Sequence, residues 1–377
     1  MDVEQIKQWA IESIESWAHD EATDRWDDAL FSERAVRLFA YQFEHNQAYR
    51  LYCQRRGVTP DQISHYRDIP EVPTDVFKTV ELTTTPSPSV CFKTSGTTQG
   101  QQGVHWMEDA SVYAASMMEP FRRYALSDPR LADASLVLLH PHRDDLPHSS
   151  LSYMLTEFER RLFQDVDTTY AVGLEQGEWV WALEAFVEHL DEAQRSGRPV
   201  CVLGTAFGWM TVLDNSERSW QLPPGSMVME TGGFKGRSRE VSRSALYDMF
   251  TQRLGIDPTH CISEYSMTEL SAQAYTDNLR AWHTQSRSLT LDARAFRTPP
   301  WAKVEAVDPQ TMRTLGAGER GLLRWYDLSN VWSVSTIQTS DVGVVDGNGG
   351  FKVLGRARGA ELRGCSMSIE EMKRAIR

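Results

Sequence analysis

The chain has 377 residues, 41% hydrophobic and 24% charged, an ordinary globular mix long enough for one large domain or two of medium size. A net charge of −13 and a pI near 5.3 argue against a broad surface for nucleic acid or anionic membrane. No apolar run is long enough to span a bilayer, and the acidic start MDVEQIKQWA lacks the basic-then-apolar order of a signal peptide. The cysteines are Cys53, Cys91, Cys201, Cys261 and Cys365; an odd number without a C-x-x-C pair argues against a disulfide framework and a structural zinc site, and points to a reducing cytoplasm.

Residues 3–18 place Val3, Ile6, Ala10, Ile14 and Trp17 at helical spacing, with Asp2 as a cap. Residues 28–50 read as a second helical region rich in aromatics, and prolines 60, 70 and 73 make 58–76 irregular. Helices are expected at 108–127, 151–164, 178–195 (stopped by Gly197) and 238–253. Buried strands are expected at 135–140, 199–207, 226–230 and 259–265. Strand and helix alternate here, so the middle of the chain is α/β with a largely parallel sheet, and ligands in such sheets bind beyond the carboxyl ends of strands. From about 300 the short runs WAKVEAVD, GLLRWYDL, WSVSTIQTSDVGVVD and GGFKVLGR read as antiparallel hairpins. The last residues, SIEEMKRAIR, read as a short helix. Residues 1–354 form the main domain, helical over 1–75 and β-rich over 300–354, and 355–377 a short C-terminal segment.

Five segments carry chemistry. The stretch FKTSGTTQGQQGVHW, 92–106, groups Thr94, Ser95, Gly96, Thr97, Thr98 and Gly100. Small and hydroxylic side chains leave backbone N–H groups open to an anion such as a nucleotide's phosphates, or else make a polar surface turn. It is not a P-loop, because no lysine follows the second glycine. MVMETGGFK supplies Gly232, Gly233 and Lys235 after one strand. EYSMTEL supplies Tyr265, Thr268 and Glu269 after another. TSD supplies Asp341, expected in a tight turn between hairpin strands, and GR supplies Arg356 just beyond.

The order of these segments resembles the adenylate-forming superfamily of acyl-CoA synthetases, luciferases and peptide-synthetase adenylation domains. The resemblance implies roles over roughly residues 75–365. Thr94, Ser95, Gly96, Thr97, Thr98 and Gly100 would hold the β- and γ-phosphates of ATP. Gly232 and Gly233 would let adenine lie against bare backbone, with Tyr265 stacked on the base. Thr268 would bond the α-phosphate, Glu269 would hold Mg²⁺, Asp341 would accept the ribose hydroxyls, and Arg356 would reach ribose or phosphate. His148, in PHSSLSYM, stands near the point where the superfamily gates its carboxylate pocket, and Lys235 is a candidate charge there.

Three departures accompany the resemblance. The phosphate loop ends Gln101-Gln102-Gly103 in place of Pro-Lys-Gly, leaving Lys93 or Lys235 as substitutes. Arg358 and Gly359 stand where a hinge aspartate is usual. The superfamily's mobile C-terminal domain and its catalytic lysine have no counterpart after GRARGAELRGCSMSIEEMKR. Such a tail, with PTDVFK at 73–78, resembles acyl-protein synthetases of the LuxE type. In that family the acyl-adenylate acylates a C-terminal cysteine, and a partner acyl reductase (LuxC-like) or another acyl-accepting protein takes the thioester. Cys365 holds the matching position, beside Arg363, in a setting that favours thiolate. The resemblance thus implies a cytoplasmic ligase using ATP and Mg²⁺ on a carboxylic acid, usually a fatty acid. Two alternatives stand beside it: a CoA ligase of the phenylacetate-CoA ligase type, and a non-catalytic nucleotide- or partner-binding protein.

Overall fold

The structure, a computed structural model, describes residues 1–18, 26–95, 101–232, 241–357, 370–372 and 374. The chain forms two compact units. One comprises residues 120–266 and 274–296; the other comprises 1–119, 267–273 and the chain from 297 onward.

The first of these holds the expected parallel sheet. Its strands run in the order Thr168–Tyr170, Ser135–Leu139, Val200–Thr205, Met227–Thr231, Cys261–Tyr265 and Ala274–Thr276. All neighbours are parallel except the last pair, which is antiparallel. Each central strand is buried along nearly its whole length and largely apolar, because helices cover the sheet and buried parallel strands need no solvent-facing side. Helices Leu183–Ser196, Ala206–Asp214 and Arg243–Leu254 bury Phe186, Trp209 and Phe250 in one cluster with Val137, Val202 and Val228. Each such side chain contributes about 1.5–3 kcal/mol of transfer free energy. Gly197 and Gly255 end two of these helices with φ of +74° and +68°, the left-handed conformation glycine adopts without strain.

Three expectations change here. Residues 178–181 are a strand, not helix: Glu178–Trp181 pairs antiparallel with Val172–Glu175 across Gln176 and Gly177, both at positive φ, and the helix begins at Leu183. EWVW alternates with period two, which serves a hairpin as well as it serves a helix start. The strand after Pro199 ends at Thr205, whose side chain accepts from Gly208 N and starts the helix Ala206–Asp214. The helix expected at 238–253 is described from Arg243 to Leu254.

The other unit carries helices Val3–Ala18, Asp28–His45 and Gln47–Arg55. The aromatic helical region is thus two helices, split at Asn46, whose side chain accepts from Tyr49 N. Helix Ser111–Tyr124 is shorter than expected. Strands Ala302–Val307, Arg320–Asp327, Thr336–Val345 and Phe351–Arg356 form the antiparallel sheet. Val72–Pro73 adds to it in parallel with Ile337–Gln338. Buried Gln42 donates to the Asn330 carbonyl (2.7 Å) and accepts from Ser335 N (3.0 Å), so a helix polar group fixes the segment between two sheet strands. Glu370–Met372 lie in helical conformation within the expected terminal helix. Among the described residues no helix is long and apolar enough to cross a membrane.

Candidate active site

In the parallel-sheet unit, the candidate residues follow strand ends. Gly232 succeeds Met227–Thr231 with φ +69°, where a side chain would be strained whatever the space around it. Tyr265 is the last residue of its strand, where the expected run 259–265 also ends, and its ring lies 5.9 Å from that of Phe296. Thr231 and Glu264 are register partners, and the Thr231 hydroxyl donates to Glu264 Oε2. Glu264 Oε1 is buried without a hydrogen-bond partner, and burial raises the carboxyl to about 7. The neighbouring acid is satisfied differently: Glu230 meets Arg243 Nε at 2.9 Å and accepts from Ser263.

His148 stands exposed in its loop, just ahead of Ser149, which caps helix Ser150–Leu162. The buried imidazole is His140, at the end of Ser135–Leu139. Its Nε2 lies 3.4 Å from Ser149 Oγ, its Nδ1 has no partner, and burial lowers it to about 4. Its ring packs edge-on to Trp179 at 5.4 Å, and Trp179, Trp181 and Phe207 pack on one another. None of these four was singled out by sequence; the hairpin that brings Trp179 here was read as helix.

In the other unit, Asp341 and Arg356 are direct partners across two antiparallel strands, with Nε 3.0 Å from Oδ1. This corrects the tight-turn expectation: Asp341 lies inside the ten-residue strand Thr336–Val345, and the turn comes at Asp346, whose Oδ1 accepts from Asn348 N and Gly350 N. Asp341 is 7% exposed.

The segment bearing Thr268 and Glu269 is held by its backbone. His105 Nδ1 lies 2.8 Å from the Thr268 carbonyl oxygen and its Nε2 3.0 Å from Asn330 Oδ1. Asn330 Nδ2 donates to the Glu269 carbonyl (2.9 Å). Asp327 Oδ2 accepts from Ser271 N (2.7 Å) and Ala272 N (2.8 Å), while Oδ1 accepts from Ser329 N and Oγ. Burial pushes Asp327 up despite these four donors, and holds His105 down at about 4. Glu269 is buried, at 7% exposure.

The phosphate-loop stretch begins as a hairpin. Val90–Lys93 pairs with Val104–Met107, and Thr94 Oγ1 accepts from Gly103 N at 2.9 Å. A Cβ on Gly103 would come within 3.1 Å of Thr94 Cγ2 and 3.4 Å of Phe77 Cβ, so the backbone closes tightly there and a side chain would press on both. Ser95 is exposed. Gly96, Thr97, Thr98, Gly100, Gly233, Lys235 and Cys365 lie outside the described residues. Of the other cysteines, Cys53, Cys201 and Cys261 are buried, with Cys53 pushed up to about 12 and the other two raised by burial.

The family model described as acyl-protein synthetase, LuxE, matches residues 17–373. A long-chain-fatty-acid–luciferin-component ligase of Vibrio harveyi is 22% identical over 354 residues, covering 91% of this chain and 88% of that protein. Among solved structures, an open conformation of 2-hydroxyisobutyryl-CoA ligase in complex with 2-HIB-AMP and CoA is similar with a TM-score of 0.60. It is 14% identical and covers 87% of this chain and 69% of that one. The ATP-bound RpMatB-BxBclM chimera B3 has a TM-score of 0.50 at 14% identity, covering 71% of this chain and 48% of its own, so the chain spans about half that protein's length. At such identities the structural likeness concerns the fold, which is the α/β fold of adenylate-forming ligases.

Proposed function

Because this chain belongs to the acyl-protein synthetase family, LuxE, we propose that it activates a carboxylic acid with ATP and then loads the acyl group on its own Cys365. In the first step a carboxylate oxygen attacks the α-phosphorus, the bond to the bridging oxygen breaks, and pyrophosphate leaves with its electron pair. In the second, the Cys365 thiolate attacks the acyl carbon and AMP leaves. A partner acyl reductase, or another acyl-accepting protein, would take the thioester onward. A long-chain fatty acid is the substrate class that fits best, since the Vibrio harveyi relative carries that acid in its name.

The observation that carries the reading is the family match across residues 17–373. The site chemistry supports it. Asp341 offers a carboxylate to two ribose hydroxyls, and Gly232 presents bare backbone where adenine would lie beside Tyr265. Glu269 supplies a hard oxygen, the donor type Mg²⁺ prefers, on a segment whose backbone is tied by Asn330 and Asp327. When bound, the ion would neutralise phosphate charge. This chain's own part is to fix Thr268 and Glu269 in place before the phosphates arrive, so that little reorganisation is needed at the reacting centre. Trp179, Trp181 and Phe207 offer an apolar surface suited to an acyl group. For the acceptor, the three buried cysteines with raised thiols are poor nucleophiles. Cys91 is half-buried in a hairpin strand, and Cys365 is preferred over it because Arg363 stands two residues away in the RGCS segment.

The test separates the two half-reactions. The wild-type protein should release pyrophosphate only with ATP, Mg²⁺ and a fatty acid, and gain one acyl mass removable by neutral hydroxylamine. Cys365→Ser should keep pyrophosphate release and lose the acyl mass. An acyl group retained in that variant would overturn the assignment of Cys365. Efficient acyl-CoA formation with no acylated protein would overturn the transfer step.

A further inference from the structure

At the amino ends of the parallel strands, three segments bring one side chain each to a common point. Asp128 caps the short helix Pro129–Asp133, which leads into strand Ser135–Leu139. His260 ends the turn Pro258–His260, which leads into Cys261–Tyr265. His283 lies in helix Asn278–Gln285. His260 Nε2 is 2.9 Å from Asp128 Oδ2, and His283 Nε2 is 3.2 Å from the same oxygen. One ligand atom from each of the three lies within 4.8 Å of the others.

We propose that Asp128, His260 and His283 bind a divalent transition metal of the zinc class, through Oδ2 and the two Nε2 atoms. The donor set is right for zinc: two imidazoles and one carboxylate, with a fourth position for water. The spacing is right as well. Two donors about 2.0–2.2 Å from one tetrahedral ion stand roughly 3.3 Å apart, near the 2.9 Å and 3.2 Å found here. The contact of His283 with Oδ2 is close, yet its buried Nε2 makes no hydrogen bond. For His283 and Asp128 this is the geometry of two donor axes that converge on a third point, because neither is aimed at the other. His260 Nε2 does form a hydrogen bond with Oδ2 (2.9 Å), which a bound ion would replace.

The backbone around the ligands is fixed. Asn278 Nδ2 donates to the carbonyls of Thr259 (2.7 Å) and Cys261 (3.1 Å). Arg294 donates to the carbonyls of Pro258 (2.7 Å) and Cys261 (3.1 Å). Both therefore hold the His260 turn, and Asn278 also opens the helix that carries His283. Asp128 is fully buried as a side chain.

Arg130 is the competing cation. Its Nη2 is 2.6 Å from Oδ2 and its Nε 3.0 Å from Oδ1. Its Nε is also 3.0 Å from Oδ2. The side chain is 46% exposed, so the planar guanidinium can swing out to solvent as a unit and free Oδ2. The metal would replace a guanidinium as the counter-charge at Oδ2, and would pin the helix, the turn and the strand lead-in to one another. Cysteine spacing carries no trace of such a site, because its ligands are 23 to 155 residues apart and include no thiol.

The full chain, stripped with a chelator and dialysed, should take up one equivalent of Zn²⁺ by elemental analysis and gain melting temperature as it does so. Co²⁺ in place of Zn²⁺ should give visible bands without thiolate charge transfer. His283→Gln, at a partly exposed position, should keep the circular dichroism of the fold and weaken binding at least about 10-fold; Asp128→Asn should do the same or worse. Zinc uptake unchanged in both variants, thiolate bands with Co²⁺, or no stoichiometric uptake by the wild-type chain would each overturn the site and leave an ion-pair network in its place.

Discussion

Asp341 and Arg356 face each other across paired strands, Nε to Oδ1 at 3.0 Å, with the carboxylate buried and the arginine side chain 67% exposed. An ion pair with one such open partner adds little to stability, under about 1 kcal/mol. Its value is that it orients the carboxylate before a ligand arrives. Asp341→Ala should therefore weaken ATP binding about 10- to 150-fold, the loss of a charge-assisted hydrogen bond worth roughly 1.5–3 kcal/mol. Arg356→Ala should shift the urea midpoint little and reduce ATP affinity by less. Titration calorimetry on both variants and the double variant checks this, and equal ATP affinity for wild type and Asp341→Ala would remove Asp341 from the site.

Glu269→Gln keeps the shape of the side chain and removes its charge. Folding should survive, because the segment is held through backbone atoms. Pyrophosphate release should fall about 100-fold or more, the scale on which a lost electrostatic contact at a transition state is felt, and the Mg²⁺ concentration for half-maximal rate should rise. An unchanged rate with an unchanged Mg²⁺ dependence would assign Glu269 a structural role.

Protonation should loosen the same segment. His105 is held at about 4 by burial, below its ordinary 6.5. The neutral ring is thus favoured in the folded state, and its contribution is present above pH 6.5 and lost as pH falls from 6.5 towards 4. His140 acts in the same window and the same sense. Glu264, raised to about 7, acts the other way, losing stability as pH rises from about 4.5 to 7. The difference between wild type and His105→Gln isolates the first term. Urea midpoints from pH 7 to pH 4 should converge for the two proteins at the acid end, and parallel curves would refute the assignment.

Asp327→Asn replaces an acceptor oxygen by an amide donor facing N–H groups. Buried donors at Ser271, Ala272 or Ser329 would then lack a partner, at about 1–3 kcal/mol for each orphaned group. Melting temperature should fall, and pyrophosphate release with it, since Thr268 and Glu269 lie on the loosened segment. A variant with full activity and wild-type melting would show that the clasp is dispensable.

The parallel strands were legible because an apolar run bounded by turn residues, as in SLVLL and CVLGT, has few other uses in a covered sheet. Gly197 stopped its helix as expected, for the same reason that any glycine at positive φ does. EWVW was not legible, because four residues fit period two and a helix start equally. Asp341 was misplaced since TSD looks like turn chemistry, while the strand around it is fixed by partners at 320–327 and 351–356 that local sequence does not announce. His105, Asn330 and Asp327 were invisible for a related reason: they act on carbonyls and amides 55 to 163 residues away.

The clasp on Ser271 and Ala272 also bears on how the family can diverge. Asp327 reads backbone amides, which every residue but proline presents alike. Positions 271 and 272 can then change identity, within the small buried volume each occupies, without moving Thr268 or Glu269. A saturation library across 270–273 should accordingly tolerate small substitutions at these two sites, reject proline at both, and reject nearly everything at 327. Mutational drift would be channelled into the side chains that the clasp ignores.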